Sequence, residues 1–193
     1  MSILLDAGPS LNFLAASQQD LLIKIAARLQ CTLNTPEAVD TEIRNKATRD
    51  QRFQRTPALS TWKKLVAAGR VQVLDDTVTG SPAFEAAIGR ISGTPAKIRV
   101  RQSKDLGELM VIAHASVLVQ AGMHVRILMD ESNGRHKAAI EARWLIINGH
   151  SAGSLTVWST QQVLKGAQQA GFIGSWEAVY DQLSPFDDGL PSR

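Results

Sequence analysis

The chain has 193 residues, 44% hydrophobic and 20% charged, a balance that fits one soluble globular domain and excludes a disordered or fibrous polymer. Its formal net charge is +3, and its single cysteine, Cys31, excludes an internal disulfide and a cysteine-built zinc site. No apolar run approaches the roughly 20 residues of a membrane span, and the opening MSILLDAG lacks the basic and long apolar regions of a secretory signal, so a cytoplasmic protein without membrane contact is expected.

Ser2-Ile3-Leu4-Leu5 is a short apolar run that ends at Asp6, a first strand. Ala7-Gly8-Pro9-Ser10 predicts a turn, with Ser10 capping a short helix through Leu11, Phe13 and Leu14. A second helix starts near Ser17, with Leu21, Leu22, Ile25 and Leu29 at helical spacing. Cys31-Thr32-Leu33 predicts the next strand, with a buried, inert thiol. Thr35-Pro36 then starts a helix, threonine as cap and proline in the first turn. Val39 and Ile43 take its buried face, and Glu42 flanks that stripe.

Positions 44–55 are strongly basic and poor in apolar anchors. A helix is expected at 61–68, and Val71-Gln72-Val73-Leu74 is a third strand by length and β-branching. Within 75–103, positions 82–91 predict a helix between Gly80 and Gly93-Thr94-Pro95, and 96–103 a basic loop or edge segment. Asp105-Leu106-Gly107-Glu108 opens a long helix. Positions 125–129 form a fourth strand that delivers Asp130 and Glu131 into the Ser132-Asn133-Gly134 turn, and 135–143 is helical. Trp144-Leu145-Ile146-Ile147 predicts a fifth strand, and 155–170 a helix ending at Gly171. Trp176, Val179, Tyr180 and Leu183 close the chain at helical spacing, ahead of a frayed tail at 184–193.

Strands alternating with helices predict an α/β fold, a three-layer α/β/α architecture around a mostly parallel sheet of about five strands. One domain at 1–183 carries a longer segment at 75–103, which has too few apolar residues for a core of its own.

The charge is unevenly spread. Positions 43–104 hold 13 Lys and Arg against 4 Asp and Glu, a balance of +9, whereas 1–42, 105–143 and 144–193 come to −3, −1 and −2. Such asymmetry fits a polyanion-facing surface beside an acidic one. Solvated helix faces with long basic side chains account for the counts equally well.

Four places put acids at element ends facing one rim: Asp6 after the first strand, Glu42 in the helix after the second, Glu108 in the first turn of the long helix, and Asp130 after the fourth strand. Each has an ordinary explanation. Asp6 would cap a turn, Glu42 would pair with Lys46, and Asp105 with Glu108 would form an acidic capping box. Together, however, acids converging on one rim repel one another and need a cation to stay ionised. His114, His124, His136 and His150 show no ligand spacing, so the set is an oxygen-ligand site suited to Mg²⁺ or Mn²⁺. Glycine-rich phosphate loops, the serine-hydrolase elbow and an aromatic platform for bases are all missing from the sequence.

The ordered blocks LLDAG, TPEAVDTEI, KDLGELMVIAHA, ILMDESNGRHKA and GSLTVWSTQQVLKGAQQAGFI resemble PIN-domain proteins, and look closest to ribonuclease toxins of VapC type, over positions 2 to about 183. The resemblance implies a PIN-like fold with Asp6, Glu42, Glu108 and Asp130 as the catalytic, metal-holding acids. Glu131, where relatives often carry aspartate, supports the metal or stays spare. Ser10 or Asn12 would orient Asp6 or a metal-bound water, and Arg135 would contact phosphate or hold the acidic loop.

The expected activity is therefore Mg²⁺- or Mn²⁺-dependent endoribonuclease cleavage of RNA phosphodiesters, as the toxin of a toxin–antitoxin pair. Arg44, Arg49, Arg99, Arg101 and Lys104 would guide the RNA backbone. The resemblance further implies an antitoxin partner and a homodimer. Two alternatives remain open: a non-catalytic PIN-like module that binds nucleic acid or protein, and a DNA-directed nuclease on the same fold.

Overall fold

A computed structural model describes residues 1–186 and 189–190. In chain order its elements are β1 (Ser2–Leu5), α1 (Ala7–Ala15), α2 (Gln19–Arg28), β2 (Thr32–Pro36), α3 (Glu37–Arg49), α4 (Gln51–Gln54), α5 (Ala58–Ala67) and β3 (Val71–Leu74). There follow α6 (Pro82–Ser92), α7 (Ala96–Arg99), α8 (Leu106–Gln120), β4 (Val125–Leu128), α9 (Ser132–Ile147), β5 (Leu155–Trp158), α10 (Thr160–Gln169) and α11 (Trp176–Leu183).

The five strands form one all-parallel sheet in the order β3-β2-β1-β4-β5. β1 is buried along its whole length because helices cover both faces of the central strands, which explains its unbroken apolar run. Connections run one way from β1 to β3 and the other way from β3 to β5. Right-handed crossovers therefore put α1–α5 on one face and α6–α9 on the other, and α11 returns to pack on α1. The order reverses between β1 and β4, where Leu5 lies opposite Leu128. In open α/β sheets the crevice beyond the carboxyl ends at such a point is where ligands bind.

The α/β/α fold thus agrees with the sequence reading. The core runs through Leu4, Leu11, Phe13, Ile43, Trp62, Ile112 and Ile127. α8 is apolar on all sides because it is covered on all sides: it packs on β1, β2 and β4, while Leu109, Met110 and Ala113 meet Phe84, Ala87 and Ile88 of α6. The segment at 75–103 is seated there. Among the described residues, no helix is long and apolar enough to cross a membrane.

Several expected elements differ. Positions 144–147 continue α9 rather than forming a strand: Leu145 is buried, Ile146 and Ile147 are exposed, and so short an apolar run does not distinguish strand from helix. The fifth strand is Leu155–Trp158, and the helix expected from 155 starts at Thr160, behind a capping box of Ser159 and Gln162. Part of the expected loop at 96–103 is the short helix α7. Ala47 and Phe53 anchor the basic stretch at 44–55 in the core.

Caps also moved. Thr35 does not cap α3; it ends in β2, with its hydroxyl donating to the Leu5 carbonyl at 3.3 Å. Ser10 lies inside α1, whose cap position is Asp6. Asp105 stands at the cap of α8 with φ 52° but makes no side-chain cap bond, so the Asp105–Glu108 capping box is not formed. Of the tail expected from 184, positions 187–188 and 191–193 lie outside the described residues.

One buried ion pair ties α6, α8 and α9 together. Glu141, 2% exposed, receives Arg90 Nε at 3.0 Å and the Ser116 hydroxyl at 2.6 Å, while the Arg90 guanidinium lies over the Trp144 ring. Truncating one partner leaves a buried charge without its counterion, so Arg90→Ala should cost about 3–5 kcal/mol in urea unfolding. A loss below ~1 kcal/mol would show that the pair does not hold α6 down.

Candidate active site

Four acids from four elements line one cleft of about 850 Å³ at the carboxyl edge of the sheet: Asp6 after β1, Glu42 on α3, Glu108 on α8 and Glu131 before α9. Asn45, Lys46, Lys104 and Asn133 share the wall.

Two glycines set how closely the acids approach. A Cβ built on Gly107 would lie 2.8 Å from Glu42 Oε2 and 3.2 Å from Val39 Cγ2, so the bare position 107 leaves room for the Glu42 carboxylate where α8 meets α3. A Cβ on Gly134 would lie 2.7 Å from the Glu108 Cγ and Cδ atoms and clash with Met129 Sδ. The bare backbone at the start of α9 is therefore what admits Glu108. Asp76, after β3, adds a third tie. It accepts the Ala38 N–H of α3 at 2.7 Å and pairs with His114 Nε2 of α8 at 2.8 Å.

Crowding like charges has electrostatic consequences. Burial pushes the Asp6 carboxyl up to about 7, with Glu42 and Glu108 adding to the rise and the Ala7 N–H and Lys46 opposing it. Burial also raises Glu108, as does the neighbouring Glu131 carboxyl, against the pull of Lys137. Burial acts on Glu131 in the same direction, but the Gly134 N–H at 2.9 Å, Glu108 and Lys137 outweigh it and hold that carboxyl below its ordinary range. Lysines partner the other two pairs of oxygens: Lys46 Nζ lies 3.0 Å from Glu42 and Lys137 Nζ 2.8 Å from Glu108.

Asp130 is not brought to this cleft. It is 6% exposed, and its carboxylate accepts the Thr160 N–H at 2.7 Å and the Thr160 hydroxyl at 2.5 Å, at the start of α10. Burial raises its carboxyl despite those bonds and the Arg135 charge. It lines a neighbouring cavity of about 690 Å³ with Glu131 and Arg135. Glu131, expected in support, holds the cleft position instead.

Other expected contacts are redirected. The Ser10 hydroxyl donates to the backbone carbonyl of Asp6 at 2.6 Å, so it fixes the turn and not the carboxyl. Asn12 is fully buried and lines no part of the cleft. Arg135 Nη1 reaches the Met129 carbonyl at 3.3 Å and so braces the acidic loop. Arg99 holds the carbonyls of Gln102 and Lys104, at 2.8 and 2.6 Å. Of the expected substrate contacts, Lys104 alone stands in the cleft wall; Arg101 is exposed and does not line it. The sequence reading missed Lys137, whose partner is 29 positions away on another helix. The Glu42–Lys46 pair, by contrast, was expected from its four-residue spacing and is formed.

The donors are all carboxylate oxygens, which suits Mg²⁺ or Mn²⁺, and the carboxyls of Asp6 and Glu108, raised first by burial and then by neighbouring carboxyls, are ones whose ionised form a divalent cation would favour. Among the described residues, no three His, Cys, Asp or Glu side chains are already gathered into a ligand set. The acids share a cleft without forming a finished cage.

Against models of known families, curated proteins and solved structures, the chain matches none. The residues and their geometry therefore carry the functional reading.

Two outcomes test this geometry. Gly134→Ala should lose about 1–3 kcal/mol through overpacking, whereas Gly166→Ala, open around its Cβ within α10, should gain up to ~1 kcal/mol; thermal unfolding distinguishes them. Asp6 is ionised above its ordinary 3.8 in the unfolded chain but stays protonated up to about 7 in the fold. Folding then takes up a proton, and stability falls as pH rises through that interval. Asp6→Asn should match the native protein near pH 4 and exceed it by about 2–4 kcal/mol near pH 8 in chelator, as read by urea unfolding.

Proposed function

We propose that this chain is a metal-dependent endoribonuclease of PIN type, and the toxin of a toxin–antitoxin pair. The observation that carries this reading is the convergence of Asp6, Glu42, Glu108 and Glu131 on one cleft beyond the carboxyl ends of β1 and β4. The order of the sequence blocks supports the same assignment. In this reading these four acids hold Mg²⁺ or Mn²⁺, which supplies the Lewis acidity that lowers the pKa of water beside a phosphodiester. Asp6, the most buried of the four, sits at the cleft floor, where ionisation costs most without a cation. Asp130 anchors the acidic loop to Thr160 and thereby fixes the position of Glu131. Lys104 in the cleft wall meets the RNA backbone.

The toxin reading implies a protein antitoxin, a homodimer and a cytoplasmic site of action. Ile140, Ile146 and Ile147 expose an apolar stripe on α9, which supports a protein contact there. A specific observation favours a second reading, a PIN-like module that binds without cutting: both Glu42 and Glu108 are already neutralised by lysines, and Asp130 is turned away.

Purified protein with Mg²⁺ or Mn²⁺ should cleave structured RNA in preference to single-stranded DNA. Asp6→Asn and Glu108→Gln should each lower the rate ~10²-fold or more, with Asp130→Asn less severe in activity than in stability. Folded protein that binds RNA but cuts under neither metal would establish the binding module; faster cutting of DNA would reassign the substrate.

A further inference from the structure

Two lysines are placed as counterions to the cleft acids, two carboxylates to each: Lys46 in the cleft wall and Lys137 on α9. Lys46 pairs with Glu42 at 3.0 Å, and its charge also acts on Asp6. Lys137 pairs with Glu108 at 2.8 Å across the α8–α9 contact, and its charge also acts on Glu131. Each of the four cleft acids thus feels the charge of one of these two ammonium groups. The Glu108 side chain is only 11% exposed, so an ion pair there is desolvated enough for its loss to matter. Both Lys46 and Lys137 retain partial solvent contact. Lysine is suited to exchange partners. Its charge is compact, rides on a four-carbon stem and is not held by a rigid planar fork as in arginine.

We propose that Lys46 and Lys137 are resident counterions that a divalent cation displaces from Glu42 and Glu108, and that the released ammonium groups then bind the phosphodiester backbone. This rests on the metal-dependent reading above and adds two substrate-binding residues to it. The exchange conserves the cleft's logic. The acids trade monovalent for divalent compensation, and the lysines trade carboxylate for phosphate oxygens. An ammonium released beside an anionic polymer gains by counterion release, so substrate and metal binding become mutually supportive. A purely structural pair would behave otherwise: removing its lysine would weaken the fold and favour the cation by deleting a positive charge, but would leave RNA affinity and its salt slope unchanged.

The test compares the native chain with Lys46→Met, Lys137→Met and the double variant, each checked for folding by thermal unfolding. Mn²⁺ alone, followed by calorimetry, should bind the single variants roughly two- to tenfold more tightly than the native chain, because a competing cation has been removed. Short phosphorothioate-substituted single-stranded RNA, followed by anisotropy with Mn²⁺ present, should bind each variant more weakly. Its salt slope should drop by about one per lysine. Lys137→Arg should restore RNA affinity and the salt slope. Mn²⁺ binding to the native chain with unchanged RNA affinity and salt slope in the variants, whatever their Mn²⁺ affinity, overturns the exchange while leaving the metal site in place. No Mn²⁺ binding to the folded native chain overturns both.

Discussion

The close approach of α3, α8 and the start of α9 is the constraint on which the site depends. It exists because positions 107 and 134 carry no side chain: a Cβ at either would press on Glu42 or Glu108 themselves. At these two points the side chains of Glu42 and Glu108 lie directly against bare glycine, which lets acids from different elements share one cleft. The same contact creates the electrostatic problem that shapes everything around it. Burial disfavours the ionised carboxyl, and neighbouring carboxyls add to the cost.

The surroundings distribute that cost unequally. Glu131 is relieved by the first N–H groups of α9, where a negative charge is favoured. Asp130 is relieved in the same way by Thr160 at the start of α10. Glu42 and Glu108 have lysines. Asp6, at the end of the buried strand β1, is pushed up to about 7 by burial, with only the Ala7 N–H and Lys46 opposing the rise. A divalent cation would change the balance most at Asp6 and Glu108, whose carboxyls burial raises despite the Ala7 N–H and Lys137 beside them.

The segment at 75–103 contributes to this arrangement indirectly. Its helix α6 covers the outer face of α8 through Phe84, Ala87 and Ile88, and Arg90 joins it to Glu141 of α9. Just ahead of it, Asp76 links the start of α3 to His114 on α8. The helices that carry Glu42 and Glu108 are therefore held from outside by one connected stretch of chain. Ion pairs of this kind add little as isolated contacts, but buried and hydrogen-bonded they penalise any other arrangement.

Much of the layout was legible in the amino-acid order. Apolar runs marked β1, β3 and β4, helical spacing marked α2, α6, α8 and α11, and their alternation implied the parallel α/β/α sheet. Asp6, Glu42 and Glu108 could be placed near one rim because local periodicity fixes which end of an element a residue occupies. Short-range signals failed where one run of residues suits two conformations, as at 144–147, where packing of Leu145 kept α9 helical. What only the tertiary structure decided is direction and partnership. Asp130 and Glu131 are neighbours in sequence, yet Thr160 claims one and the cleft receives the other. Lys137 meets Glu108 only because two helices touch at Gly134. Periodicity is a property of neighbours along the chain, whereas a carboxylate's partner and protonation depend on what is packed against it from elsewhere.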